Sequence, residues 1–343
     1  MPPSSATVPS RLQEPAARAS GDRDRDEPSP KSWTRMRMRP TGATLPQSTQ
    51  RTARIGVTVR PPRHDTSLEP AAYRPDDVVI LDHSVTDRDQ DPAAMGGPVA
   101  ATAKKTLKIR YCFLPYLYTL FYRSHVFGET VARPLFFEFP KDVNTYAVDT
   151  QFLWGSALLV LPILEPNSTS VKPYLPRGIW YDVMLGLPYH SAGEDFQMAP
   201  LNDSICLLIR GGHVVPSQEP AQTTAASRLK PFNLLVAQNH DGLATGELYW
   251  DDGEYVGSYE KGEYSLIKFV AVKNTVSSMC VHCGYDSIML LNAVTVYGVT
   301  DKPREVHFNR LPTNFTYNPA GQFMKVSSLH YQLTKPFVLT WNR

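Results

Sequence analysis

The chain has 343 residues, of which 42% are hydrophobic, so it is long enough to bury a sizeable core in one large domain or two ordinary ones. Its formal net charge of +2 hides an uneven distribution, because residues 1–60 carry eleven Lys or Arg against five Asp or Glu and the remainder is net acidic. A basic leader can contact nucleic acid or anionic lipid, but this one is poor in aromatic residues and is typical of a solvated tail. We therefore expect no nucleic-acid partner.

Residues 1–89 contain two aromatic residues, Trp33 and Tyr73, and are rich in Pro, Arg, Ser and Asp. Such a segment buries too little apolar surface to offset the entropy lost on ordering, which predicts a disordered leader. No apolar run in the chain reaches the roughly 20 residues of a membrane-spanning helix. The first residues also lack the apolar core of a signal peptide. We expect no membrane segment, and the sequence does not indicate the cellular compartment of the chain.

The first element of the ordered part is an amphipathic helix within residues 90–128. Pro115 removes a backbone donor, so we expect a kink or a break near residues 112–114, and Gly128 marks the end of the helix. The apolar face either docks on the β-region that follows or stays exposed as a partner surface. Large apolar side chains recur at helical spacing on this face, which comprises Leu107, Tyr111, Leu114, Leu117, Tyr118 and Phe121.

Beyond the helix the apolar period changes to two. Leu135, Phe137 and Phe139 alternate with Pro134, Phe136 and Glu138, which predicts a strand. Within residues 129–220, SALLVLPIL predicts a strand buried on both faces and YLPRGIWYDV predicts two short strands. CLLIR-GG-HVVP predicts a two-residue hairpin, with His213 exposed beside it.

The polar segment SQEPAQTTAASRLKP predicts a loop or a domain boundary. Residues 229–343 then show strands at the spacing of an all-β sandwich, with Trp341 expected in the core. The fold class predicted for the whole chain is mainly β: one kinked helix followed by two antiparallel β-sandwich domains. The strands of the last region are FNLLVAQ, GELYW, SLIKFVAV, AVTVYGV, FTYNP and FVLTW.

Several of these motifs together resemble glycoside hydrolase family 31, in its α-glucosidase members of the maltase-glucoamylase and sucrase-isomaltase type. The resemblance runs from Gln90 to the C-terminus, about three quarters of the chain. It implies that residues 90–128 are the last helix of a catalytic (β/α)8 barrel, followed by a proximal β-domain (129–220) and a distal β-domain (229–343). The motifs, in family order, are RYCFLPYLYTLFYRSHVFGETVARPLFFEFP, FLWGSALLVLPIL, YLPRGIWYDV, IRGGHVVP, GELYWDDGE and FVLTWN.

Family members hydrolyse terminal α-linked glucose with retention of configuration, need no cofactor and reside in the secretory pathway, at the cell surface or in lysosomes. The resemblance thus implies a longer parent enzyme acting on α-linked gluco-oligosaccharides. The Trp-x-Asp-Met-Asn-Glu motif that carries the family's nucleophile does not occur in this sequence. We therefore assign no catalytic residue and expect the chain as given to be inactive. His83 lies near the position of a substrate-binding histidine of the family, but its neighbours differ, and a loop histidine is the alternative.

The densest acidic cluster, Asp251, Asp252 and Glu254, belongs to a WDDGE segment typical of a turn, with a calcium or sugar contact as the alternative. Arg133 is expected to pair with a carboxylate that ties the helix to the sandwich. The family assigns no chemistry to Glu138, Asp149 or Asp182.

Four cysteines are too few for a disulfide framework. Cys280 and Cys283 form a CxxC, which lacks the second ligand pair of a zinc site and predicts two cysteines beside a turn, bonded if the protein is secreted. We expect no metal. Sequons mark Asn167, Asn202 and Asn314 as possible N-glycosylation sites.

A second hypothesis from a different class is a non-catalytic β-sandwich protein that binds glycans or a protein partner. Aromatic side chains form platforms for sugar rings, and the candidates here are Trp180, Tyr181, Tyr249 and Trp250. The alternative is that most of these aromatic residues are core.

Overall fold

The computed structural model describes residue 92 and residues 97–164, 168, 170–199 and 205–342. The predictions for residues 1–89, including His83, and those for Asn167 and Asn202 lie outside the described residues. Within the described part, no helix combines the length and the apolar character needed to cross a bilayer.

The described helices are α1 (Gly97–Cys112), α2 (Leu114–Phe127), α3 (Leu135–Glu138), α4 (Thr224–Arg228) and α5 (Ser258–Lys261), with a 3-10 turn at Val143–Thr145. The first ten strands are β1 (Ala132–Arg133), β2 (Phe152–Trp154), β3 (Leu158–Leu161), β4 (Tyr174–Leu175), β5 (Gly178–Asp182), β6 (Pro188–Ser191), β7 (Glu194–Asp195), β8 (Cys206–Arg210), β9 (His213–Gln218) and β10 (Phe232–Ala237). The remaining ten are β11 (Leu243–Trp250), β12 (Ser265–Val272), β13 (Thr275–Cys283), β14 (Leu290–Tyr297), β15 (Glu305–Phe308), β16 (Leu311–Pro312), β17 (Phe315–Asn318), β18 (Phe323–Val326), β19 (Tyr331–Gln332) and β20 (Val338–Asn342).

The break predicted in the first helix is confirmed. Phe113 separates α1 from α2, and Pro115 occupies the first turn of α2, where its missing N–H has no helical partner to lose. The predicted end is also confirmed, since Gly128 adopts a left-handed φ of +71° and its N–H bonds to the Ser124 carbonyl.

The predicted apolar face is correct only in part. α1 has no buried residue, and Leu107 is 48% exposed. α2 packs against β9 and β11, so the helix does dock on the β-region through its second half. Leu117 is buried as expected, but the burial spreads to flanks that the single predicted face does not include. The buried residues of α2 are Pro115, Tyr116, Leu117, Thr119, Leu120 and Tyr122.

The strand predicted at residues 135–139 is wrong, because this segment forms the short helix α3. Pro134 supplies an extended N-cap, and the Phe139 N–H bonds to the Leu135 carbonyl. Leu135 is buried, whereas Phe136 and Phe137 are exposed and meet edge to face with ring centroids 5.0 Å apart. The alternating pattern was therefore a helical turn with one buried anchor.

A six-stranded antiparallel sheet, in the order β1-β2-β3-β8-β5-β6, forms the first β layer. All four residues of β3 are buried, which confirms the strand predicted to be covered on both faces. The two short strands predicted in YLPRGIWYDV are β4 and β5. β4 pairs with β7 in a separate two-stranded sheet.

The hairpin predicted at Gly211–Gly212 is wrong. β8 belongs to the six-stranded sheet, while β9 pairs with β10 and β11 in a second, twelve-stranded sheet. The two glycines carry the chain from one sheet to the other: the Gly211 N–H bonds to Ile179 of β5, and the Gly212 N–H bonds to Ala237 of β10. Gly212 has a φ of +98°, a conformation that a glycine adopts without strain.

The twelve-stranded sheet follows the order β16-β15-β20-β13-β12-β11-β9-β10-β14-β18-β17, with β19 on β14. It contains the strands predicted for residues 229–343, although β10–β14 and the single bridge between β9 and β11 are parallel. Its terminal strands β16 and β17 are joined by only two residues, so the two ends of the strand order lie close together. Phe232, Phe269, Phe337 and Trp341 lie in its core, as expected for Trp341. The mainly β fold class is confirmed.

Candidate functional site

The most concentrated charge among the described residues surrounds the end of α2. Arg123 donates from Nη1 to Glu247 Oε1 of β11 at 2.7 Å, and from Nε to Glu129 Oε2 at 2.9 Å. Its Nη2 also donates to Glu129. The Arg123 hydrogen bond holds the pKa of the Glu129 carboxyl below its usual range, and the Glu129 bond raises the pKa of Arg123. One guanidinium thus joins α2, its exit loop and β11.

The chain of ion pairs continues into the six-stranded sheet. Arg133 of β1 donates to Glu129 Oε2 at 2.9 Å and to Glu138 Oε1 at 2.6 Å, and Arg210 of β8 donates to Glu138 Oε2 at 3.2 Å. The Arg210 guanidinium also lies over the Phe139 ring, 4.3 Å from its centroid. The carboxylate partner expected for Arg133 is confirmed. We call Glu247, Arg123, Glu129, Arg133, Glu138 and Arg210 the arginine–glutamate network.

A cavity of about 410 Å³ lies beside this network, between α2 and strands of both sheets. His213 lines the cavity and is half-buried, which corrects the prediction that it is exposed. Its Nδ1 faces the Arg210 carbonyl at 3.2 Å and its Nε2 faces the Ser156 hydroxyl at 3.0 Å. Burial, reinforced by the positive charge of Arg210, lowers the pKa of His213 to about 4. The ring is therefore neutral at pH 7, donating at one nitrogen and accepting at the other.

The WDDGE carboxylates are structural, as the turn prediction indicated. Asp251 is 3% exposed, and its two oxygens accept from the Tyr118 hydroxyl at 2.6 Å, the Tyr249 hydroxyl at 2.9 Å and the Gly253 N–H at 2.8 Å. Burial, and then the bond to Asp251, raise the pKa of Tyr118. Asp251 thus fastens α2 to the end of β11.

Asp252 is exposed and closes the turn itself. Its Oδ1 accepts from the Glu254 and Tyr255 N–H groups, each at 3.0 Å, and these bonds lower the pKa of the carboxyl. Glu254 is exposed. Within the described residues, no group of three or more His, Cys, Asp or Glu side chains is placed to hold a metal ion.

The other acidic residues are also accounted for locally. Asp182 is buried at the end of β5, and its Oδ1 accepts from the Met184 and Leu185 N–H groups at 2.7 Å. Burial raises its pKa. Asp149 is exposed.

The aromatic residues considered for a sugar platform are core residues. Trp180 and Tyr181 are 0% and 1% exposed, and Tyr249 and Trp250 are each 5% exposed. The Trp180 Nε1 donates to the Pro176 carbonyl at 2.9 Å, and the Tyr181 hydroxyl donates to the Gln238 carbonyl at 2.7 Å. The glycan platform built from these four residues is therefore wrong, because no ring face is open to a ligand.

Sequence reasoning found Arg133 but missed Arg123, Glu129 and Glu247. The spacing of Glu129 and Arg133 is a local signal for an ion pair, but the Arg123–Glu247 contact joins residues 124 positions apart. Among the sequons, Asn314 is exposed in the connection between β16 and β17.

The arginine–glutamate network holds elements of the fold in fixed positions and does not have the usual layout of a proton-transfer site. Retaining glycosidases use two carboxyls about 5 Å apart, of which one attacks the sugar and the other exchanges a proton. In the arginine–glutamate network every carboxylate accepts from at least one guanidinium, which occupies lone pairs of that carboxylate. The site therefore joins a helix to two sheets.

Comparisons with known proteins identify the family to which the chain is similar. A family model described as the glycosyl hydrolase family 31 C-terminal domain matches residues 128–215. Intestinal sucrase-isomaltase from Rattus norvegicus is 40% identical over 263 residues, which cover 74% of this chain and 14% of the relative. Lysosomal alpha-glucosidase from Rattus norvegicus is 41% identical over 258 residues, covering 69% of this chain and 27% of the relative.

Among solved structures, the glucosidase II alpha subunit with alpha3-Glc2 bound is similar with a TM-score of 0.67 and 26% identity, over 74% of this chain and 30% of that chain. The chain thus spans less than a third of the length of each of these relatives. The chain belongs to glycosyl hydrolase family 31, and residues 128–215 match the family's C-terminal domain.

Proposed function

We propose that this chain is the β-rich supporting part of a retaining α-glucosidase that removes terminal α-linked glucose from maltose-type oligosaccharides. In this proposal residues 90–128 are the last helix of the catalytic barrel, residues 129–220 the proximal β-domain and residues 229–343 the distal β-domain. Strand β9 of the proximal region completes the sheet of the distal one. The catalytic carboxylates belong to the parent enzyme. The chain by itself holds the barrel-terminal helix in place and does not hydrolyse glycosides.

The observation that carries the proposal is the one-sided attachment of the helix pair. α2 packs against β9 and β11 and buries six of its residues, and it is also tied by Tyr118 to Asp251 and by Arg123 to the arginine–glutamate network. α1 continues from it with no buried residue and with Leu107 exposed. A helix pair held at one end and exposed at the other is suited to bear a further layer of structure, and we assign this partner surface to α1.

The proposed inactivity is tested by assaying the purified full chain with an aryl α-glucoside. We expect no turnover above buffer, because the carboxylates of the described site are paired with arginines or bonded to tyrosines. Turnover that an iminosugar inhibitor abolishes would contradict this expectation. An intact α-glucosidase at the same molar concentration serves as the positive control.

The supporting role is tested by exchange. Residues 97–343 replace the corresponding region of rat lysosomal alpha-glucosidase, with which this chain shares 41% identity over 258 residues. We expect the exchanged enzyme to be secreted and to retain activity, and the same exchange carrying Leu117→Asp to lose both. Equal behaviour of the two exchanges would show that α2 packing does not support the barrel.

The relatives include lysosomal and intestinal enzymes. We propose a secretory-pathway location for the parent enzyme, and N-glycosylation of Asn167, Asn202 and Asn314. Asn314 is exposed, as glycosylation requires. To test Asn314, the wild type and Asn314→Gln are expressed behind a heterologous signal peptide, and the mass of each is compared before and after peptide-N-glycosidase treatment. An unchanged mass for the wild type would refute it.

A further inference from the structure

The Cys280–Cys283 disulfide closes the end of β13 around a β-bulge. In the pairing with β12, Leu266 faces His282 and Ile267 faces Cys280, so Val281 is the extra residue. Cys283 is exposed and Cys280 is half-buried. The bond therefore brackets the bulge, and one of its sulfurs is on a residue open to solvent.

His282, which lies between the bulge residue Val281 and Cys283, faces a stack of aromatic rings. His282 lies on the Tyr264 ring with centroids 4.1 Å apart, and its Nε2 is 2.8 Å from the Gly262 carbonyl. Tyr264 stacks on Tyr249 at 5.1 Å, and Tyr249 stacks on Tyr122 of α2 at 4.3 Å. We call Tyr122, Tyr249, Tyr264 and His282 the ring stack, which runs from the disulfide to the docked helix.

The backbone beside the disulfide leaves little room for rearrangement. The Gly284 N–H bonds to the Tyr264 carbonyl at 2.7 Å. A Cβ at Gly284 would collide with the Gly262 carbonyl, so the chain after Cys283 passes in direct contact with the turn that precedes β12. The position of His282 thus depends on the backbone path that the disulfide constrains.

We propose that Cys280–Cys283 is a thiol–disulfide exchange site for small dithiols, and that its reduction releases His282 from Tyr264. A thiolate of the dithiol attacks Sγ of Cys283, and Cys280 leaves as a thiolate that takes up a proton. The second thiol of the reagent then displaces Cys283 from the mixed disulfide. The protein gains two electrons and two protons, and the dithiol becomes a cyclic disulfide.

The consequence of reduction is local opening at the end of β13. A short cross-link limits the conformations of the segment it closes, and its removal lets the bulge and the strand end fray. Frayed backbone no longer holds His282 over Tyr264, so the outer end of the ring stack opens. Tyr249 and Tyr122 are buried at the inner end and keep their contact.

The experiment combines thiol counting with hydrogen exchange on the full chain. The sequence has four cysteines, so denatured protein prepared without reductant should show two free thiols, and four after native treatment with dithiothreitol. In peptides covering residues 262–286, we expect amide exchange to accelerate on the order of tenfold after reduction. Peptides covering α2 should not change.

Three variants make the result specific. Cys280→Ser with Cys283→Ser should exchange like the reduced wild type with or without dithiothreitol, whereas Cys112→Ser should keep the full response. His282→Ala should show fast exchange near Tyr264 while its thiol count still changes from two to four. Four free thiols in untreated protein, or reduction that leaves exchange in residues 262–286 unchanged, would overturn the proposal.

Discussion

The two halves of the broken helix differ in what lies across from them. α1 and α2 are separated by a single residue, yet α1 has no buried residue and α2 buries six. The periodicity of both halves is helical, but α2 packs along β9 and β11, whereas α1 contacts β9 much less extensively. The comparison shows that burial in this region follows the available surface, and that an apolar pattern gives the shape of an element without giving its partner.

The largest difference should appear when equivalent leucines are removed from the two halves. Leu117 is 1% exposed, so Leu117→Ala should lower the free energy of unfolding by about 3 kcal/mol through lost contacts and a cavity. Leu107→Ala should change it by no more than about 0.5 kcal/mol, because Leu107 is 48% exposed. Urea unfolding at a constant m-value measures both. Equal losses would show that α1 is packed in solution.

The polar anchor of α2 can be tested at the two neighbouring aspartates. Asp251→Asn replaces one acceptor oxygen with a donor in front of the Tyr118 and Tyr249 hydroxyls, and should cost about 2 kcal/mol of unfolding free energy. Asp252→Asn, at an exposed position, should cost about 1 kcal/mol or less. Thermal unfolding of the two variants at pH 7 shows which of them loses more stability. A larger loss at Asp252 would contradict the anchoring role of Asp251.

The cavity beside α2 predicts a pH dependence. Burial lowers the pKa of His213 to about 4, so between pH 6.5 and pH 4 the unfolded chain binds a proton that the folded chain does not. Stability from this group therefore falls as the pH falls, by about 2 kcal/mol from pH 7 to pH 5.

His213→Gln keeps a polar side chain but removes the titration. The loss between pH 7 and pH 5 should be smaller in this variant than in the wild type by about 2 kcal/mol. Arg210 and Glu138 face the same site and remain in both proteins. Parallel pH profiles for the two proteins would rule out His213 as the source.

The smallest effect should come from the arginine–glutamate network. Arg123 and Glu129 are about one-third exposed, so solvent screens their attraction, and Arg123→Met should cost about 1 kcal/mol. Raising the salt concentration should narrow the difference between the wild type and this variant. His125→Ala removes a more exposed contact with Glu260 and serves as the control, with no measurable change expected.

Local patterns predicted the strands and the helix break well. The runs around Leu158, Phe232 and Ser265 carry their periodicity within a few residues, and Pro115 and Gly128 act through backbone chemistry that does not depend on distant contacts. The segment at Leu135–Glu138 was too short for period two to be separated from one helical turn.

The errors that matter for the site are those of long-range pairing. A Gly-Gly between two apolar strands predicts a hairpin, and nothing local indicates that its two strands enter different sheets. For the same reason, the contact of Arg123 with Glu247 was not predicted, and His213 was predicted to be exposed. The four aromatic residues proposed as a platform are buried because they lie between layers that sequence alone does not pair.

The passage of the chain through Gly211 and Gly212 has a consequence for cooperativity. β9 follows β8 after two residues, yet it lies between β10 and β11 in the interior of the larger sheet. A cut after residue 220 would leave this strand with the smaller sheet and open a gap in the larger one. Because the two sheets share this stretch of chain, we expect them to unfold together. Calorimetry should then show a single endotherm for the described part of the chain.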